Sequence, residues 1–344
     1  MAPKRSKTMK RIVIILIAAA VLSAAGSQAN TAQAQEYGVV DISAAYMRSA
    51  PDYESSLECQ ALMGTVVTII ESDRYWLHVV FEDPLYYGWV TEMGIARMSE
   101  EEIAAYRKAR KAICRAAHSA VYADASEGEQ ICDLTMGDVM RDLGTKGAFA
   151  KVRLPSGKIG YAPTKDLMFG YPADPSSMIV KTAREFNGVP YLWGGNTAGA
   201  LDCSGLVWLT YRINGIILPR NASEQAQEGN EVALADARPG DLLYFGAPYP
   251  EPAAEMTPPA FAPNGIAFSS ADGHINAVDA GFHPSEYASQ AIKPKDMAPA
   301  DPPKVTHIGI YLGDGKFIHA SQKVYITDLE HYTSKKLLGV RRIL

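Results

Sequence analysis

Cys203 stands at the mouth of an apolar run in the stretch LDCSGLVWLT, preceded by Asp202 and followed by Ser204 and Gly205. A free thiol has a pKa near ~8.5 and is mostly protonated at neutral pH, so a nucleophilic cysteine needs a positive environment or a base. A helix N-terminus offers roughly half a positive charge and unpaired N–H groups. The apolar positions Leu206, Val207, Leu209, Tyr211 and Ile213 predict a helix that begins at Cys203 and is ended by Gly215. The same amides are suited to hold the oxyanion of a tetrahedral intermediate. A base has to come from elsewhere among the seven histidines. His307 opens the strand pattern HIGIYLG, and His319 follows in KFIHAS across a hairpin at Gly313-Asp314-Gly315, so the two can face one another on adjacent strands. A second polar group that orients the first imidazole completes a nucleophile, base and orienter. Taken singly, each residue also reads as a core cysteine or a satisfied strand histidine. A zinc site of Cys203, His307 and His319 is the competing chemistry, but the chain has no close-spaced ligand pair and no H-E-x-x-H helix.

The elements that must position these residues lie in the last part of the chain. SSMIVKTAREFNGVPYLWGG reads as a helix opened by serines suited to capping and stopped by Gly188 and Pro190. After the Cys203 helix come three strand patterns, GDLLYFG at 240–246, HIGIYLG at 307–313 and KFIHAS at 316–321. Helices followed by an antiparallel sheet make an α+β arrangement. Upstream, residues 37–98 hold short β-rich runs (YGVVDIS, TVVTIIES, WLHVVF, YYGWVTE) separated by turn residues, which is a small all-β unit. A charged helix, SEEEIAAYRKARKAICRAA, leads to a second unit with a hairpin at Pro155-Ser156-Gly157, and the two units align loosely at YYGWVTEMGIA and KIGYAPTKDLM.

The setting is read from the rest of the composition. A chain of 344 residues with 47% hydrophobic and 21% charged residues is long enough for two or three soluble domains. Lys4, Arg5, Lys7, Lys10 and Arg11 precede the 14-residue run IVIILIAAAVLSAA, followed by small-residue sites at Ser27-Gln28-Ala29 and Ala32-Gln33-Ala34. Because a membrane span needs roughly 20 residues, residues 1–34 are expected to be a cleaved export signal that leaves no stable membrane span. That segment carries five of the 33 Lys/Arg and none of the 38 Asp/Glu, so the remainder has a formal charge near −10, which argues against nucleic-acid binding. Four cysteines in an exported chain are compatible with disulfides. Cys114 and Cys132 flank one short segment and can pair, which leaves Cys59 with Cys203 as its one alternative; the count leaves the matter open.

The two β units resemble bacterial SH3-like domains through their Gly-aromatic-Val/Ala strands, although Gly88-Trp89-Val90 also fits any strand after a tight turn. YLWGG, Asp202-Cys203-Ser204-Gly205, RPGDLLYF, THIGIYLG and FIHAS, in that order, resemble the NlpC/P60 family of cysteine peptidases. With the SH3-like units in front, the whole resembles the dipeptidyl-peptidase VI branch of that family. The resemblance implies a papain-like catalytic domain behind two SH3-like barrels, laid out as signal 1–34, first barrel 35–100, linker helix and second barrel 101–172, and catalytic domain 173–344.

It further implies an exported cysteine peptidase, periplasmic or at the cell surface. Its substrate would be L-Ala-γ-D-Glu-diamino acid peptides derived from peptidoglycan, cut at the γ-D-glutamyl bond by a monomer without cofactor or metal. By the same resemblance Cys203 is the nucleophile, His307 the general base and acid, His319 the orienting residue, and Tyr191 a group at the oxyanion. Asp202, Ser204 and Ser223 correspond to residues that hold the D-glutamyl residue, and Glu58 with Tyr86 to a pocket for the free α-amine, Tyr87 being nearly as good a candidate. Asp202 also reads simply as a helix cap, and Glu58 as a surface charge. An acyltransferase on the same scaffold and a wall-binding protein without catalysis are the alternatives.

One departure from the family is an insertion of about 247–305, rich in Pro and Ala (APYPEPAAEMTPPAFAPNG, AIKPKDMAPADPPK), with loop histidines His274 and His283. A composition of this kind favours extended chain, and its place between the strands that carry the site suits a lid or an interaction segment.

Overall fold

The computed structural model describes residues 35–82, 85–246 and 305–344. The expected export segment and the insertion with His274 and His283 lie outside the described residues.

Period-two alternation builds the first sheet: in β2 (Ala44–Arg48) Ala45 and Met47 are buried while Tyr46 between them is exposed. It also comprises β1 (Glu36–Val40), β3 (Leu57–Leu62), β4 (Val66–Asp73), β5 (Trp76–Glu82), β6 (Leu85–Thr91) and β7 (Ile95–Met98), in the order β3-β2-β6-β5-β4-β1-β7. Helix α1 (Glu100–Lys108) then starts with a capping box, Ser99 accepting from Glu102 N and the Glu102 carboxylate accepting from Ser99 N. The second sheet holds β8 (Lys111–Cys114), β9 (His118–Tyr122), β10 (Gln130–Thr135), β11 (Val139–Lys146), β12 (Phe149–Arg153), β13 (Ile159–Pro163) and β14 (Leu167–Met168). Its order, β10-β9-β13-β12-β11-β8-β14, is that of the first sheet displaced by seven strands.

The last part is α+β. Helices α2 (Ser176–Glu185), α3 (Cys203–Ile213) and α4 (Ala222–Gln225) accompany the short pair β15 (Asn196–Thr197) and β16 (Ala200–Leu201). A six-stranded sheet follows, with β17 (Asn230–Val232), β18 (Leu242–Gly246), β19 (Val305–Gly313), β20 (Lys316–Ala320), β21 (Val324–Asp328) and β22 (Lys336–Arg342) in the order β17-β22-β18-β19-β20-β21. On β19, Ile308, Ile310 and Leu312 join a core with Leu206, Val207 and Leu209 of α3. Phe245, Phe317, Leu243 and Val340 pack a second, smaller core with Tyr311 and Tyr332. The β19–β20 hairpin turns through Gly313, Asp314 and Gly315, whose φ values of 90°, 50° and 70° explain why two of the three are glycine.

Three expectations change here. The N-cap of α2 is Pro175 rather than a serine, and Ser176 and Ser177 bond back to Asp174 instead. The sheet has six strands rather than three: β22 enters between β17 and β18, and Arg342 within it pairs with Asp241 at 2.7 Å. The helix expected over SEEEIAAYRKARKAICRAA ends at Lys108, and Lys111–Cys114 is strand β8 instead. The cysteines, whose pairing the count left open, are all four free thiols.

The end of β3 ties the three parts together. Leu62 belongs to the core around α3, and Met63 to the core of the second sheet. The buried carboxylate of Asp138 accepts from Met63 N at 3.0 Å and from Thr135 N at 2.8 Å. Arg115 of the second unit holds Glu185 of α2 with two hydrogen bonds of 2.8 Å.

Candidate active site

Cys203 is the first residue of α3, half-buried, with Asp202 as N-cap. Gly205 N donates to Asp202 Oδ1 at 2.6 Å, and Leu206 N to the Asp202 carbonyl at 2.9 Å. This leaves the amides of Cys203 and Ser204 at the helix mouth. The helix sits hard against the YLWGG segment, since a Cβ on Gly205 would lie 2.0 Å from the carbonyl oxygen of Gly195. Cys203 packs against the core that holds Ile308, the residue after His307. Burial pushes the Cys203 thiol up to about 11, and Asp202 adds to this, while Arg220 and the Ile308 and Ser204 amides pull the other way.

His307 and His319 are buried on adjacent strands, with Gly309 opposite His319 in the register. His307 Nε2 lies 2.8 Å from His319 Nδ1. For Nδ1 of His307 to accept a proton, its own proton must be on Nε2, donating to His319. Burial lowers the pKa of His307 to about 3, with His319 and Lys335 adding to the effect, and that of His319 to about 4. Both rings are therefore neutral at pH 7, and a neutral imidazole is the form that takes a proton. Tyr332 stacks beside His307 at a centroid distance of 6.1 Å and meets His319 edge-on at 5.1 Å. Tyr191 is half-buried, and its backbone N donates to the Gln322 carbonyl at 3.0 Å. Burial, then Cys203 and Asp202, raise its hydroxyl to about 12. Among the described residues no three His, Cys, Asp or Glu side chains are arranged to hold a metal ion. The two imidazole nitrogens meet each other instead.

The network beneath the thiol centres on a residue not anticipated from sequence, Arg220, which is 3% exposed. Its Nη1 donates to Asp202 Oδ1 at 3.1 Å and Ser204 Oγ at 2.7 Å, and its Nη2 to Asp202 Oδ2 at 2.5 Å. Asp202 Oδ2 also accepts from Gly194 N at 2.8 Å. Asp202 and Ser204 are thus engaged with protein partners in holding the start of α3. Gln225, also unanticipated, donates to the Ser204 and Pro219 carbonyls. Ser223 does not join them: it lies exposed on α4, and the residues of RNASEQ that reach the network are Arg220 and Gln225.

The first β unit packs against the segment just ahead of Asp202. Gln60 of β3 accepts from Asn196 N at 2.9 Å, and Asn196 Nδ2 donates to the Gln60 carbonyl and the Cys59 sulfur. Next to them, Glu58 is half-buried; burial raises its pKa and Arg220 draws it back. Tyr86 donates to the Glu58 carbonyl at 3.4 Å, while the pKa of Tyr87 is raised by burial and then by Glu58, so both tyrosines stand beside this residue.

Residues 188–255 and 261–342 match the NlpC/P60 family, and residues 47–95 the bacterial dipeptidyl-peptidase Sh3 domain. The chain is similar to the gamma-D-glutamyl-L-lysine dipeptidyl-peptidase of Bacillus subtilis (strain 168), at 23% identity over 84% of this chain and 82% of the other. A protein of the same name from Bacillus cereus (strain ATCC 10987 / NRS 248) is 25% identical over 56% of this chain and 60% of its own length. In fold, it is similar to the crystal structure of an NlpC/P60 family protein from Bacillus cereus ATCC 10987, with a TM-score of 0.67 at 20% identity, covering 90% of this chain and 99% of the other. The chain carries an NlpC/P60 domain behind a bacterial dipeptidyl-peptidase SH3 domain.

Proposed function

We propose that the protein is an exported cysteine peptidase that cuts the γ-D-glutamyl to diamino acid bond of peptidoglycan stem peptides with a free N-terminal L-Ala. The observation that carries this reading is Cys203 at a helix N-terminus, packed against the core that includes Ile308, with the neighbouring His307 paired to His319 at 2.8 Å. Two relatives named as gamma-D-glutamyl-L-lysine dipeptidyl-peptidases support the bond.

The thiol attacks the γ-carbonyl as His307 takes its proton, because neither a preformed thiolate nor an imidazolium suits groups held this far from their ordinary pKa values. The Cys203 and Ser204 amides and the Tyr191 hydroxyl receive the oxyanion. His307 then protonates the leaving amine, and water hydrolyses the thioester. His319 holds the His307 tautomer. Arg220 fixes Asp202 and Ser204, and through them the start of α3. Glu58, with Tyr86 and Tyr87 beside it, receives the ammonium of L-Ala, so the first β unit closes the cleft against blocked peptides.

The test is incubation of wild type and Cys203→Ala with an L-Ala-γ-D-Glu-diamino acid peptide and its N-acetylated form, read by mass spectrometry. Release of L-Ala-D-Glu by wild type only, and only from the free amine, is expected. Equal cutting of the acetylated peptide removes Glu58 from the site. Absence of cutting, or amide formation with an added amine, returns the weight to binding or acyl transfer.

A further inference from the structure

The reading above accounts for the acyl side of the cleft and for the reacting groups, but not for what lies behind His307 and Tyr332. There a half-open groove of about 490 Å³ is lined by Phe245, Tyr311, Glu330, Tyr332, Lys335 and Leu337 among others. Tyr332 belongs to both places, packing on His307 and His319 and walling the groove. Lys335 lies at the rim, half-buried, with its Nζ donating to Thr306 Oγ1 at 3.0 Å, one residue before His307. Its charge reaches the imidazole, where it helps to disfavour protonation. Among the described residues Lys335 has no carboxylate partner within salt-bridge distance, whereas Arg220 is paired with Asp202 and bonded to Ser204. A half-buried ammonium with one neutral acceptor retains donors for an anion.

On the departing side of the reaction, the group nearest His307 is the diamino acid whose amine His307 protonates. It carries a carboxylate one carbon from that amine, and an aliphatic stem. We infer that the groove receives the leaving diamino acid, with Lys335 pairing its free α-carboxylate and the Tyr332 and Leu337 side chains taking its stem. The inference rests on the proposed peptidase function and narrows it. With Glu58 reading the free amine at one end and Lys335 a free carboxylate at the other, the substrate is a released tripeptide rather than a longer or cross-linked stem.

The experiment compares kcat/KM for L-Ala-γ-D-Glu-L-Lys, its C-terminal amide, and the peptide extended by D-Ala, with wild type, Lys335→Gln and Lys335→Arg. Wild type should favour the free acid by roughly tenfold, the size of one charge-assisted hydrogen bond. Lys335→Gln should bring the acid down to the amide, and Lys335→Arg should keep the preference, showing that charge and not folding is at issue. Equal use of acid and amide by wild type, or a preference that survives Lys335→Gln, overturns the inference while leaving the peptidase in place. If no peptide is cut, calorimetric binding of acid and amide to Cys203→Ala decides it separately. A Lys335-dependent preference for the acid then keeps the groove and discards the peptidase, and no preference discards both.

Discussion

Burial sets the protonation state of Cys203, His307 and His319, and at Cys203 it does so against the helix terminus. The start of α3 favours a thiolate, yet the desolvated sulfur beside Asp202 is pushed up to about 11 and His307 down to about 3. Proton transfer therefore accompanies attack. In the proposed mechanism His307 works as a base only while neutral, so activity is lost as pH falls through its pKa, and a depressed pKa moves that limb downward. The expected outcome is an acid limb of kcat/KM well below the ordinary histidine value of about 6.5, and alkylation of Cys203 by iodoacetamide that still climbs with pH above neutrality. An acid limb at or above that ordinary value would mean the imidazole is not desolvated as described. The linkage has the same direction. The unfolded chain protonates both histidines at a higher pH than the folded one, so their contribution to stability is complete above the unfolded pKa and declines as pH falls toward about 3 to 4.

At the scale of elements, α3 is placed by contact rather than by propensity. Gly205 lets its first turn touch Gly195, and a Cβ there would also come within 2.9 Å of Asn196 Oδ1. A backbone carbonyl cannot step aside as a long side chain can. Gly205→Ala should destabilise by about 1–3 kcal/mol in urea unfolding, and lower kcat by shifting the thiol from His307. An unchanged midpoint and kcat would show that the contact relaxes freely. The sequence made this helix legible because its apolar positions and its cap are local, and the hairpin through Gly313-Asp314-Gly315 was legible for the same reason. The pairing of His307 with His319 followed from that hairpin. Arg220 was not legible, because its partners Asp202 and Ser204 lie 18 and 16 residues away and a lone arginine after a proline reads as surface. Nor was β22 legible as a central strand: its Arg341 and Arg342 look solvated until Asp241 appears opposite. Ser223 stays exposed while Gln225, two residues on, is buried, because spacing within a four-residue helix does not say which side faces the core.

At the scale of the molecule, the two β units are not appendages on a flexible string. Leu62 and Met63, consecutive in sequence, enter two different cores, and Asp138 of the second unit fixes the backbone between them and the first unit. A Cβ on Gly137 would meet Leu62 of the first unit at 2.8 Å and Leu209 of α3 at 3.1 Å, so three parts converge at one point. Separate domains usually melt separately, but units that share buried side chains cannot lose one core without exposing another. Calorimetry should therefore give a single transition with van't Hoff and calorimetric enthalpies in agreement. Asp138→Ala leaves two buried N–H groups without acceptors, at about 1–3 kcal/mol each, and should lower that one transition. Two resolved transitions in the wild type would separate the first β unit from the catalytic sheet. The contact of Cys59 and Gln60 with Asn196 would then be a docked surface, not part of the same folded body.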